Sequence, residues 1–231
     1  VRADHMSKFW YALAEHDVDR KLWITQTGHV DPFDFRRAEW VATLHRWFDF
    51  WLHQVPNAIM DEPRVDVERA ADVWETHADW PIPGSADTEV FLRPADGGAG
   101  GLGLVPVAKP SAATFQDNPT QSQNTMIANP DAIQPNRLVY LSEPLTAPLH
   151  ISGTTEVRIR ASADQTDTNF GAILVDYGTA ERVAHRASGE GIATLETKDC
   201  WGESSAADDG CYRQTVKRVA TADTEVVTKG I

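Results

Sequence analysis

Positive charge is scarce in this 231-residue chain: 21 Lys and Arg stand against 34 Asp and Glu, for a formal charge of -13. A nucleic-acid backbone or an anionic bilayer surface demands clustered Lys and Arg, so neither nucleic acid nor a membrane is an expected partner. No apolar run approaches the ~20 residues that a membrane-spanning helix needs. Cysteine is almost missing. Cys200 and Cys211 stand alone in DCWGESSAADDGC, without the neighbouring Cys or His that would complete a four-ligand zinc set. Either a disulfide closes this Ser/Ala/Asp/Gly loop, which is the preferred reading, or the two thiols stay free; the disulfide would favour an exported protein. Also absent is any G-x-S-x-G, the elbow that carries a nucleophilic serine in many α/β enzymes. What remains is globular in character: 42% of residues are hydrophobic and eight are Trp, enough for one large or two modest domains with a real core.

The most informative stretch is residues 21–52, KLWITQTGHVDPFDFRRAEWVATLHRWFDFWL. Consecutive Leu22, Trp23 and Ile24 suit a short buried strand over residues 21–25. The chain must then turn, because Gly28 permits a tight conformation, Pro32 blocks helix at the residue before it, and Asp34 can cap the next helix. From Arg36, the residues Trp40, Leu44, Trp47, Phe48, Trp51 and Leu52 recur at helical spacing, which predicts an amphipathic helix over 36–53 packed on a core. His29 therefore falls on a loop just past the carboxyl end of a strand, where open α/β sheets carry their chemistry. The same position also suits a histidine that merely holds the loop. His45, Asp49 and His53 repeat at i, i+4 and i+8 on that helix like a row of metal ligands, but they lie opposite the Trp47 and Trp51 face and read as a solvated stripe. No metal and no cofactor is expected.

Before this stretch, Met6, Phe9, Trp10 and Leu13 predict a short helix over residues 1–15. After it, residues 54–69 dissolve into turn formers and charges, and a domain boundary is placed there, giving residues 1–62 and 63–231. Downstream, short strand-like runs dominate: 71–75, 88–93, 137–141, 155–163, 170–177, 182–186, 192–196 and 212–219. In 155–163, Val157, Ile159 and Ala161 alternate with Arg158 and Arg160, which predicts one buried and one wet face. Such strands separated by Gly, Asn and Asp indicate a β-sandwich. The glycines of residues 96–104 lack the G-K-[ST] ending of a phosphate cradle and read as a flexible loop, and residues 106–134 read as a long irregular crossing.

A resemblance sharpens these readings. The run GHVDPFDFRRAEWVATLHRWFDFWL resembles the segment around the catalytic histidine of the Xaa-Pro dipeptidyl-peptidase and cocaine esterase group of α/β-hydrolases, and His29 matches the histidine of their Ser-Asp-His triad. Trp80-Pro81, Phe91-Leu92-Arg93-Pro94 and LVYLSEPLTAPLHISGTTEVRIRAS resemble the β-rich C-terminal domain of the same group. The fold class this implies is α/β plus all-β: the C-terminal end of an α/β-hydrolase domain followed by a jelly-roll (galactose-binding-like) β-sandwich.

In that group, nucleophile and acid both precede the histidine, so the chain is expected to be the C-terminal part of a longer enzyme, inactive by itself and truncated near its C-terminal end. Asp4 is the carboxylate nearest the start, but it does not match the family position of the acid. The resemblance implies a secreted serine hydrolase releasing N-terminal Xaa-Pro dipeptides, with His29 as its base. Its partners would be a peptide with penultimate proline and the N-terminal remainder of the enzyme, the oligomeric state being left open. Two alternatives stand beside it: a related acyl esterase or amino-acid ester hydrolase, and a non-catalytic β-sandwich binding module using Trp74, Trp80 and Trp201 as anchors.

Overall fold

A computed structural model describes residues 3–95, 99–109, 111–200 and 210–230. It opens with helix α1, Ala3–Glu15, and strand β1, Leu22–Ile24. One turn of helix, α2 at Pro32–Phe35, leads into α3 at Arg37–His53. The chain then returns as β2, Val65–Ala70, lying parallel to β1, and β3, Val73–His77, pairs antiparallel with β2. A parallel pair needs a long connection, and α2 with α3 supplies it.

Alternation in β1 and β2 sorts this sheet into two unlike faces. Leu22 and Ile24 lie opposite Val65 and Val67, and with Trp10, Tyr11 and Trp80 they form the apolar cluster under α1. The Trp10 indole N–H donates to Asp79 Oδ1 and to the Trp80 carbonyl, both at 3.0 Å, so its burial leaves no donor unsatisfied. The other face bears Trp23, Asp66, Glu68 and Trp74. Arg36 covers part of it, its guanidinium 4.5 Å from the centres of both the Trp23 and Trp74 rings and 2.6 Å from Asp66 Oδ2.

Past β3 the regular elements are strands, apart from one short helix. Strands β4 (Phe91–Arg93), β5 (Gly100–Gly103) and β6 (Tyr140–Leu141) make one small sheet, with helix α4 at Gln123–Ile127 inserted before β6. The long strands β7 (Ala172–Val183) and β10 (Val219–Gly230) pair antiparallel, as do β8 (Ile192–Cys200) and β9 (Cys211–Lys217). Cys200 and Cys211 face each other across β8 and β9 and are disulfide-bonded, as expected. Arg137 organises the middle of the chain: buried, it donates to the carbonyls of Met126, Ala128, Asn129 and Ala132 around the end of α4.

Several local expectations are corrected. Residues 155–163 form no strand, and Val157 and Ile159 are 53% and 54% exposed, because alternation makes a two-faced strand only where a neighbour pairs with it. Within the glycine-rich segment, Gly100–Gly103 form strand β5, paired with β4 on one side and β6 on the other. Helix α3 forms as predicted, yet its apolar stripe is packed only in part: the Trp40 ring meets that of Trp23 at 5.5 Å, while Phe48, Trp51 and Leu52 are 49%, 45% and 69% exposed. Asp31, not Asp34, caps the first helical turn, accepting from the Phe33 N–H at 2.9 Å, and Pro32 comes next at the first helical position.

Candidate functional site

His29 lies exposed on the loop that leaves the carboxyl end of β1, and the rest of the loop is fastened at two places. The root is held by Glu68. Its Oε2 accepts from Thr25 Oγ1 at 2.6 Å, from the Gln26 N–H at 2.9 Å and from Lys217 Nζ of β9 at 2.9 Å, while Oε1 accepts from the Asp72 N–H at 2.9 Å. The ion pair is sealed from water, the Lys217 and Glu68 side chains being 3% and 0% exposed. Burial pushes the Glu68 carboxyl up, but the bonds from Thr25, Lys217, Gln26 and Asp72 outweigh it and hold the group below the ordinary glutamate range. Lys217 Nζ also stands 4.7 Å from the centre of the Phe35 ring.

The tip is held by Glu190. Gly28 donates its N–H to the Glu190 carbonyl oxygen at 2.9 Å, and the next N–H, that of His29, donates to the Glu190 carboxylate. Gly28 has no positive φ, so its role is not the tight turn that the sequence suggests. It permits close approach instead: a Cβ there would lie 2.4 Å from Glu190 Oε2 and 2.9 Å from the His185 carbonyl oxygen. Just beyond, α2 and the first residue of α3 are clamped to β9. Arg37 donates to the Arg213 carbonyl at 2.9 Å, Thr215 Oγ1 donates to the Asp34 carbonyl, and the Phe33 and Tyr212 rings meet edge to face at 4.8 Å.

Among the described residues the His29 imidazole makes no hydrogen bond, so backbone and neighbours position the residue while its ring stays open to solvent. A recess between α3 and β2 is not lined by His29. Of its cations, Lys21, Arg36 and Arg46 are answered by Glu62 and Asp66, while Arg64 is exposed. His45, Asp49 and His53 are exposed along α3, and among the described residues no three His, Cys, Asp or Glu side chains converge as metal ligands. Asp4 lies in α1, but its side chain is outside the described residues, as is all of Trp201. Trp74 and Trp80 are half-buried and engaged, Trp74 against Trp23, Phe35 and Arg36, and Trp80 donating to Ser7 Oγ at 3.3 Å.

Residues 57–231 match the family described as the X-Pro dipeptidyl-peptidase C-terminal non-catalytic domain. The chain belongs to this family. Over its full length it is 39% identical to a protein of Streptomyces avermitilis that carries the provisional name Xaa-Pro dipeptidyl-peptidase, covering 34% of that protein. A Bacillus anthracis protein with the same provisional name is 34% identical over 78% of the chain and 30% of its own length. A cocaine esterase of Rhodococcus is 26% identical over 91% of the chain and 39% of its own length. The chain thus spans about a third of the length of these relatives. No solved structure matches it.

His29 precedes the matched family region, whereas Glu68, Glu190 and Lys217, which hold its loop, all lie inside it. None of these three stands out in the sequence. Glu68 ends the alternating V-D-V-E of a strand, Lys217 ends another, and Glu190 sits in a Gly-Glu-Gly turn whose partner is 161 positions away.

Proposed function

We propose that this chain acts as the C-terminal part of a serine-type Xaa-Pro dipeptidyl-peptidase, with His29 as the triad base. The observation that carries this reading is the open imidazole of His29 on a braced loop at the carboxyl end of β1. The names of the relatives support the peptidase class, and their length supports a preceding segment that supplies nucleophile and acid. In the proposed reaction, His29 takes the proton of the serine hydroxyl as its oxygen attacks the prolyl carbonyl carbon. It returns that proton to the leaving amine as the scissile C–N bond breaks. A water molecule then repeats the sequence on the acyl-enzyme, releasing the dipeptide and restoring the serine.

The two C-terminal strand pairs and the β4-β5-β6 sheet belong, in this proposal, to a jelly-roll domain beginning near residue 63, and β1 with α3 to the end of an α/β-hydrolase domain. The disulfide supports export of the enzyme. A second reading, hydrolysis of acyl esters, draws on the likeness to cocaine esterase. The engagement of Trp74 and Trp80 within the fold argues against their use as anchors of a free-standing binding module.

The test is turnover of a chromogenic Gly-Pro amide and of an aryl ester by the complete product of the open reading frame. Amide turnover is expected to dominate, and His29→Ala should lower kcat by about 10³ or more, since loss of the base disables the whole nucleophilic unit. Near-normal kcat in a folded His29→Ala protein would remove the proposal. Preferential ester turnover that still requires His29 would move it to the esterase reading.

A further inference from the structure

The turn between β7 and β8 is built with more care than a surface hairpin requires. Gly189, Glu190 and Gly191 all have positive φ, at 83°, 51° and 91°. The flanking glycines adopt this conformation readily, but Glu190 is a residue with a Cβ held where L side chains are disfavoured. The surroundings over-determine it. The Glu190 N–H donates to the Ala187 carbonyl at 2.9 Å, and the Ile192 N–H donates to the Gly189 carbonyl at 2.9 Å. Arg218, between β9 and β10, donates its backbone N–H to the Gly191 carbonyl and its guanidinium to the Ser188 carbonyl, both at 2.8 Å. Ala184 in turn donates to the Arg218 carbonyl at 2.8 Å.

This rigid turn presents one residue with two acceptors in line. The main-chain oxygen of Glu190 takes the Gly28 N–H and its carboxylate takes the His29 N–H. Two consecutive amides gripped by a single residue fix the Thr27-Gly28 and Gly28-His29 peptide planes, and with them the direction in which the His29 side chain leaves the backbone. The fit is mutual, since any Cβ on Gly28 would collide with the Glu190 carboxylate that makes the second bond.

We infer that Glu190, although it lies in a domain described as non-catalytic, is a positioning residue for His29, so that this domain aims the imidazole at the reacting atoms. The inference rests on the proposed role of His29. A base must meet both nucleophile and leaving group, and displacement by about 1 Å is enough to cost of order 10²-fold in rate.

The test uses the complete open-reading-frame product and four variants: Glu190→Gly, Glu190→Gln, His29→Ala and Glu190→Gly with His29→Ala. Glycine tolerates the positive φ and keeps the main-chain acceptor while removing the side chain with its carboxylate, so Glu190→Gly is expected to keep the wild-type melting midpoint and KM within about twofold while kcat falls roughly 10- to 100-fold. Glu190→Gln retains an acceptor oxygen and should recover most of the lost kcat. In the His29→Ala background, Glu190→Gly should cause no further loss, because nothing is left to aim.

Wild-type kcat in Glu190→Gly beside an inactive His29→Ala overturns the inference while leaving the peptidase reading intact. A Glu190→Gln protein as impaired as Glu190→Gly overturns it as well. So does a fall in activity that merely tracks loss of folded protein in both variants, which assigns Glu190 a structural role. A fully active His29→Ala overturns the underlying reading and this inference with it.

Discussion

Replacing Lys217 by methionine tests whether the ion pair at the root of the His29 loop is as sealed as it looks. In the native chain the Glu68 carboxylate has four donors, of which Lys217 is the one full positive charge. A methionine at this position would keep much of the stem volume and its contact with the Phe35 ring, so little of the effect would come from a cavity. The carboxylate would remain, with side-chain exposure near zero and no counter-charge. Breaking a buried pair from one side costs about 3–5 kcal/mol, because it strands the other charge. Three donors survive on Glu68, which places the expected loss near 3 kcal/mol, the lower end of that range.

For a chain of this size such a loss corresponds to a fall in melting temperature of roughly 6–12 °C. Urea unfolding followed by tryptophan fluorescence at pH 7 would read it directly, since the midpoint should move while the slope stays constant. The same physics makes two further demands. Without Lys217 the Glu68 carboxyl should titrate higher, so the deficit relative to the native chain should shrink on acidification as the stranded group takes up a proton. Adding Glu68→Gln to Lys217→Met should restore at least half of the loss, because the amide oxygen still accepts from Thr25 or Gln26 without a net charge to bury. A deficit below about 1 kcal/mol at pH 7 would refute the reasoning, since that is the value of an ordinary exposed pair.

Acid should weaken the native chain through the same residue. The folded Glu68 carboxyl is held below its ordinary range, so its contribution is complete above that range and is lost as pH falls through the folded value. Melting temperatures measured from pH 7 down to 3 should therefore fall steeply at the acid end, and less steeply in Glu68→Gln; parallel curves would contradict the assignment. Gly28→Ala should displace the histidine loop from the Glu190 turn, because the new Cβ would meet Glu190 Oε2 at 2.4 Å and the His185 carbonyl at 2.9 Å. Overcrowding of this kind costs about 1–3 kcal/mol. Circular dichroism should show an intact fold with a lowered urea midpoint, and an unchanged midpoint would mean that the two loops are not in contact.

Local pattern and the resemblance of particular motifs were enough to place α1, β1, α3, the paired cysteines, the β-rich character of the later chain and the position of His29 after a strand. These features depend on residues close together in the chain, where helical spacing, consecutive apolar side chains and turn formers act directly. The failures share a cause. Val157 and Ile159 alternate as a strand should, yet among the described residues no strand pairs with them, and alternation carries no information about partners. The stripe of α3 reads as core, but a stripe reports only that a face is apolar and says nothing of what covers it. The braces of the candidate site were the least legible part. Glu68 meets Lys217 across 149 positions and Glu190 meets His29 across 161, and neither glutamate differs in its local sequence from one that faces water. Sequence determined where a histidine could act; only the tertiary structure decided what holds it there, because hydrogen bonds and buried charge pairs are made by distance in space, which residue spacing does not encode.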